Sequence, residues 1–195
     1  MDAAKILVVL ISAIAGFIAP AYFVGIYSPQ LVWSNGYEIP DGVYIATLSG
    51  GNITLSRAFL FKVGPAVFIN FRPLIPGDVV FFYSSVCQAS LNFYSDAIAR
   101  VMKDLNIRSI YVVSCENLFL GVEGCTTRAS KMMVDLISRE GIVSGIPEIL
   151  LPTKEGSRLF TDFVKEKLSQ DPNYTRSRQL WQAIEEFITT YTGNR

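Results

Sequence analysis

Val79-Val80-Phe81-Phe82-Tyr83 is an unbroken apolar run of β-formers, and Ser84-Ser85-Val86-Cys87-Gln88-Ala89-Ser90 follows it directly. A run without polar alternation is what a strand covered on both faces requires, because neither set of alternating side chains meets water. After the run the period changes. Leu91, Tyr94, Ile98, Met102 and Leu105 recur at helical spacing, which predicts a helix from about Ser90 to Leu105. Cys87 therefore falls where a buried strand hands over to a helix.

The same alternation continues downstream. Ile110-Tyr111-Val112-Val113 predicts a second buried strand, and Thr126 or Thr127 can cap a helix whose apolar face is Ala129, Met132, Met133, Leu136 and Ile137. Ile149-Leu150-Leu151 predicts a third strand. Gly156-Ser157 then opens a helix burying Phe160, Phe163, Val164 and Leu168. Strands and helices alternating in this way predict an α/β domain over residues 77–170. Asp171-Pro172-Asn173 ends it, and a C-terminal amphipathic helix over residues 174–192 carries Leu180, Trp181, Ile184, Phe187, Ile188 and Tyr191 on one face, to pack on the domain or on a partner. Residues 28–76 read as a β-rich segment of short apolar runs and turns, such as Gly42-Val43-Tyr44-Ile45-Ala46 and Gly50-Gly51-Asn52.

Residues 1–27 read differently. Ile6 to Tyr27 carries no charge, Lys5 precedes it and no basic residue follows until Arg57. About 20 apolar residues span a bilayer core as a helix, and the positive-inside rule then leaves the N-terminus in the cytoplasm. The expectation is a single-pass transmembrane anchor with the remainder of the chain periplasmic or otherwise extracytoplasmic. A cleaved signal peptide is the alternative, since Ala19-Pro20-Ala21 has the small-x-small pattern.

Composition narrows the chemistry. Hydrophobic residues make up 50% and charged residues 17%, too apolar for a disordered chain and in keeping with a membrane contact. Lys and Arg number 17 against 17 Asp and Glu without a basic block, so a nucleic-acid partner is not expected. The chain has no histidine, which excludes Ser-His-Asp and Cys-His catalysis and every imidazole zinc site. Three cysteines alone make a poor metal cage, and no cofactor is expected. Cys87 is the candidate nucleophile, because the N-terminal end of a helix favours the thiolate form of a cysteine placed there. The bland alternative is that Cys87 is a small buried hydrophobe in a scaffold. Cys115 and Cys125 form a possible disulfide in an oxidising compartment, although the sequence does not fix the pairing.

A second landmark, Gly141-Ile142-Val143-Ser144-Gly145-Ile146-Pro147-Glu148-Ile149-Leu150-Leu151, places a proline directly before a strand. With the strand–Cys87–helix stretch it resembles the thioredoxin-like fold family over roughly residues 79–168. That resemblance implies that Cys87 is the nucleophilic cysteine, that Ser90 stands where a resolving cysteine would be, and that Pro147 is the cis-proline, with Ile146 before it, facing a partner's extended chain. With Ser90 there an internal dithiol cycle is excluded, and a one-thiol mixed-disulfide reaction with a protein partner is the expected activity. Degenerate members of this kind occur in envelope assembly, including conjugation and type IV secretion machinery, which implies a non-catalytic assembly component as the alternative.

Pro40-Asp41-Gly42-Val43-Tyr44, followed by Pro76-Gly77-Asp78-Val79-Val80-Phe81, also resembles conjugative-type signal peptidases. The serine nucleophile expected two residues before Pro40 is Glu38, and the lysine expected before Arg100-Val101 is Ala99. A Ser/Lys dyad needs both partners, so this resemblance implies a degenerate protein without that activity.

Overall fold

The first buried run forms strand β7 (Val80–Ser84), every residue of which is buried, and the remaining elements are arranged around it. The computed structural model describes residues 30–33, 38–64, 66–87, 97–140, 148–177 and 179–193. Upstream of β7 lie β1 (Leu31–Trp33), β2 (Gly42–Ser49), β3 (Asn52–Arg57), β4 (Leu60–Val63), β5 (Ala66–Ile69) and β6 (Arg72–Pro73). Downstream come helix α1, described over residues 97–104, then β8 (Ser109–Cys115), a 3-10 segment (Leu118–Gly124) and α2 (Arg128–Glu140). Strands β9 (Glu148–Thr153) and β10 (Gly156–Leu159) follow, and α3 (Phe160–Gln170), α4 (Tyr174–Ser177) and α5 (Leu180–Thr192) complete the described elements.

Seven strands form one sheet in the order β1-β3-β2-β8-β7-β9-β10. Strand β7 runs parallel to β8 and antiparallel to β9, and β10 is antiparallel to β9. On the far side β2 pairs antiparallel with β8, so residues 42–49 extend the sheet that the α/β part begins. Alternation along β7 sends Phe81 and Tyr83 into one core and Val80 and Phe82 into the other. The first core is closed by α1, α3 and α5 through Ile98, Met102, Phe163, Ile184 and Phe187. The second is closed by α2 through Met133, Val134 and Ile137, and by the separate β4-β5-β6 sheet through Leu60, Val67 and Ile69. Thr127 begins α2, its hydroxyl accepting from the Ser130 N–H at 3.2 Å.

The C-terminal helix packs its apolar stripe on the domain. Phe187 is fully buried, with ring centroids 5.5 Å from Phe160 and 5.4 Å from Phe163. The Arg100 guanidinium lies 3.6 Å from the centroid of the Trp181 ring.

The fold class is mixed α/β, and the transmembrane part of the expectation is corrected. No helix among the described residues is long and apolar enough to cross a membrane. Helices α2 and α5, 13 residues each, have about two thirds of the length that a bilayer core demands, and each turns one face to the core. The single-pass, N-terminus-inside placement that rested on a spanning helix is not retained. Residues 1–27, on which it was read, lie outside the described residues.

Because Phe187 is enclosed by other rings, Phe187→Ala should lower the unfolding free energy by about 3–5 kcal/mol, read as a fall in the urea midpoint.

Candidate functional site

Ser84 ends β7 fully buried, and the turn after it is sewn to the end of the parallel neighbour β8. The Ser84 hydroxyl donates to the Glu116 carbonyl at 3.0 Å and accepts from the Leu118 N–H at 3.3 Å. The Ser85 N–H reaches the Cys115 carbonyl and the Val86 N–H the Glu116 carbonyl, each at 3.3 Å. Cys87 N–H closes the turn on the Ser84 carbonyl at 3.2 Å. The half-exposed thiol of Cys87 thereby sits beyond the carboxyl ends of β7 and β8, the edge at which open α/β sheets bind ligands.

Cys115 and Cys125 are joined as a disulfide and both are buried. The bond closes the 3-10 segment into a tight loop beside the Cys87 turn. A Cβ at Gly124 would overlap the Asn117 carbonyl, so the loop closes there without a side chain. Cys87 is the free cysteine.

Beside the turn is an open depression of about 270 Å³ lined by Glu38, Asp41, Ser85, Glu116 and Thr126. Its wall, residues 38–41, is pinned from several sides. Ser114 Oγ donates to the Ile39 carbonyl and Tyr44 Oη to the Pro40 carbonyl, both at 2.8 Å. Asp41 Oδ2 accepts from the Thr126 N–H at 2.5 Å and from its hydroxyl at 2.8 Å. The Ile39 N–H meets the Tyr83 hydroxyl, whose pKa is pushed up to about 12, first by burial and further by the charges of Glu38 and Cys87. Tyr83 is accordingly a neutral phenol at physiological pH, within electrostatic reach of both.

These contacts give the Pro40-Asp41-Gly42-Val43-Tyr44 motif a structural role. Gly42 faces the Tyr44 ring, with the nearest ring atom 3.2 Å from where a Cβ would lie. The Pro76-Gly77-Asp78 motif is a turn in which Asp78 pairs with Arg72 at 2.5 Å and accepts from the Ile75 N–H at 2.9 Å. Glu38 and Ala99, the two positions a Ser/Lys dyad would occupy, line separate depressions.

Of the site residues read from the sequence, Cys87, Cys115 and Cys125 are described; Ser90, Ile146 and Pro147 lie outside the described residues. Glu148 had no signal in the sequence and proves to be fully buried, opposite Phe82 in the β7–β9 pair. Its carboxylate accepts from Thr161 Oγ1 at 2.6 Å and from the N–H groups of Thr161 and Ile149 at 3.1 Å each. Burial pushes its pKa up, opposed by the bonds from Thr161 and Ile149. It ties the start of α3 to the strand beside β7. The acidic wall of Glu38, Asp41 and Glu116 was likewise invisible in the sequence, because its members come from three separate segments.

The cysteine arrangement predicts that the native protein reacts with one equivalent of a thiol reagent, at Cys87, and that the reduced, unfolded chain reacts with all three cysteines. Thr161→Val, which removes a donor from the buried Glu148 carboxylate, should cost about 1–3 kcal/mol of stability in chemical denaturation. Comparison with protein-family models, with curated proteins and with solved structures finds nothing that matches this chain.

Proposed function

We propose that this chain is a thioredoxin-like protein whose Cys87 thiol exchanges with a disulfide of a protein partner, forming and releasing a mixed disulfide. The observation that carries this reading is a free, partly exposed cysteine in the turn after the buried interior strand β7, in a molecule whose other two cysteines are bonded to each other. The strand order β8-β7-β9-β10 supports it, with β7 and β8 parallel and the next two strands antiparallel in turn. The placing of the helices supports it too, since α1 and α3 cover one face of these strands and α2 the other.

The chemistry needs no added oxidant. The Cys87 thiolate attacks one sulfur of the partner's disulfide, the Cys87–partner bond forms, the old S–S bond breaks and the partner's second sulfur leaves as thiolate. Return of that thiolate, or attack by a different cysteine of the partner, expels Cys87 and leaves the partner's disulfide restored or rearranged. The buried Cys115–Cys125 bond is a spectator that holds the loop beside the thiol. A purely scaffolding role that docks partners on Trp181 and Phe187 has less support, because Phe187 is buried against α3 and Trp181 lies under Arg100.

Reaction of the native protein with a disulfide-containing peptide should yield a mixed disulfide at Cys87, about tenfold or more faster than a free cysteine peptide does, and Cys87→Ser should yield none while keeping its fold. A Cys87 no faster than the free peptide, or blocked in the folded protein, overturns the proposal.

A further inference from the structure

Of the run Leu118-Phe119-Leu120 in the loop closed by the disulfide, Leu118 turns into the core, while Phe119 and Leu120 are 61% and 63% exposed. Val86, whose N–H is bonded to the Glu116 carbonyl, is 57% exposed and directly precedes Cys87. The fold gains little from apolar side chains at these three places. Exposed apolar groups gathered at one end of a sheet mark a contact surface.

Glu116 also lines the open depression, together with Glu38 and Asp41. None of these three carboxylates makes an ion pair among the described residues. Thr126 answers Asp41 with neutral donors, and Arg57 reaches only the Asp41 main-chain carbonyl, at 3.5 Å. Arg128, two residues past Thr126, is exposed and does not line the depression. Ser85 lines it, Val86 is exposed and Cys87 comes next, so one turn carries the thiol, an edge of the acidic depression and an exposed apolar side chain.

We propose that this face docks an extended partner chain that is both basic and apolar, with a lysine or arginine against Glu38, Asp41 and Glu116 and an apolar side chain on Phe119 and Leu120. The two surfaces together select that chemistry. An acidic chain would meet like charge, and a chain without apolar residues would leave Phe119 and Leu120 in water. Such a chain would be the disulfide partner of the exchange described above, on which the sulfur step rests and the docking does not.

The test uses the intact protein and two peptides that share an apolar stretch and differ in being flanked by lysines or by glutamates. Disulfide-containing versions are timed for mixed-disulfide formation at Cys87, and versions with serine for cysteine are titrated against Cys87→Ser protein by fluorescence anisotropy. The lysine peptide should react and bind about tenfold better than the glutamate peptide at low salt. That preference should vanish at about 1 M salt, where exposed charges are screened, and in the double variant Glu38→Gln, Glu116→Gln. Leu120→Ser and, independently, Phe119→Ser should weaken binding of the lysine peptide about tenfold. Serine peptides that bind with this preference while Cys87 stays inert uphold the docking and overturn the exchange. A Cys87 that exchanges rapidly but equally with both peptides upholds the exchange and overturns the docking. Self-association of the protein alone that Leu120→Ser abolishes, without binding of the lysine peptide, assigns the face to a second copy of this chain and also overturns the proposal.

Discussion

Strand β7 is covered on both faces, and the other layers are placed by that demand. Its alternating side chains belong to two cores, Phe81 and Tyr83 to one and Val80 and Phe82 to the other, so a helix layer on one face alone would leave large apolar side chains in water. The chain meets the demand with α1, α3 and α5 on one side and with α2 and the β4-β5-β6 sheet on the other. The C-terminal helix thus completes a core with Ile184, Phe187 and Ile188 of its apolar stripe.

The same strand positions the thiol. Since β7 is an interior strand and its last residue, Ser84, is hydrogen-bonded to Glu116 and Leu118, the turn that carries Cys87 is tied to the end of β8. The disulfide restrains the neighbouring loop from its other end. The partly exposed cysteine is therefore held at the end of a turn that hydrogen bonds tie to β8.

Glu148 and Glu185 are both pushed up by burial, yet their surroundings differ in kind. Glu148 receives two N–H groups and a hydroxyl, so its buried charge is answered by donors, and it acts as a fixed tie between β9 and α3. Glu185, raised next by the charge of Asp104, has one buried oxygen that takes no hydrogen bond among the described residues.

What the sequence determined by itself were the elements carried by a local period: the unbroken run of β7, the second run in β8, the capped α2 with Thr127 at its start, and the stripe of α5. Each is legible because strands and helices impose spacing on neighbouring residues. Cys87 was legible as a residue at a strand's end. The pairing of Cys115 with Cys125, left open by the sequence, was settled by the loop that brings them together. The tertiary structure alone joined β2 to β8, assembled the acidic wall of Glu38, Asp41 and Glu116 and set Glu148 on Thr161. The physical reason is the same in every case: these contacts join residues far apart in the chain, and no local spacing encodes which distant segment will supply the partner.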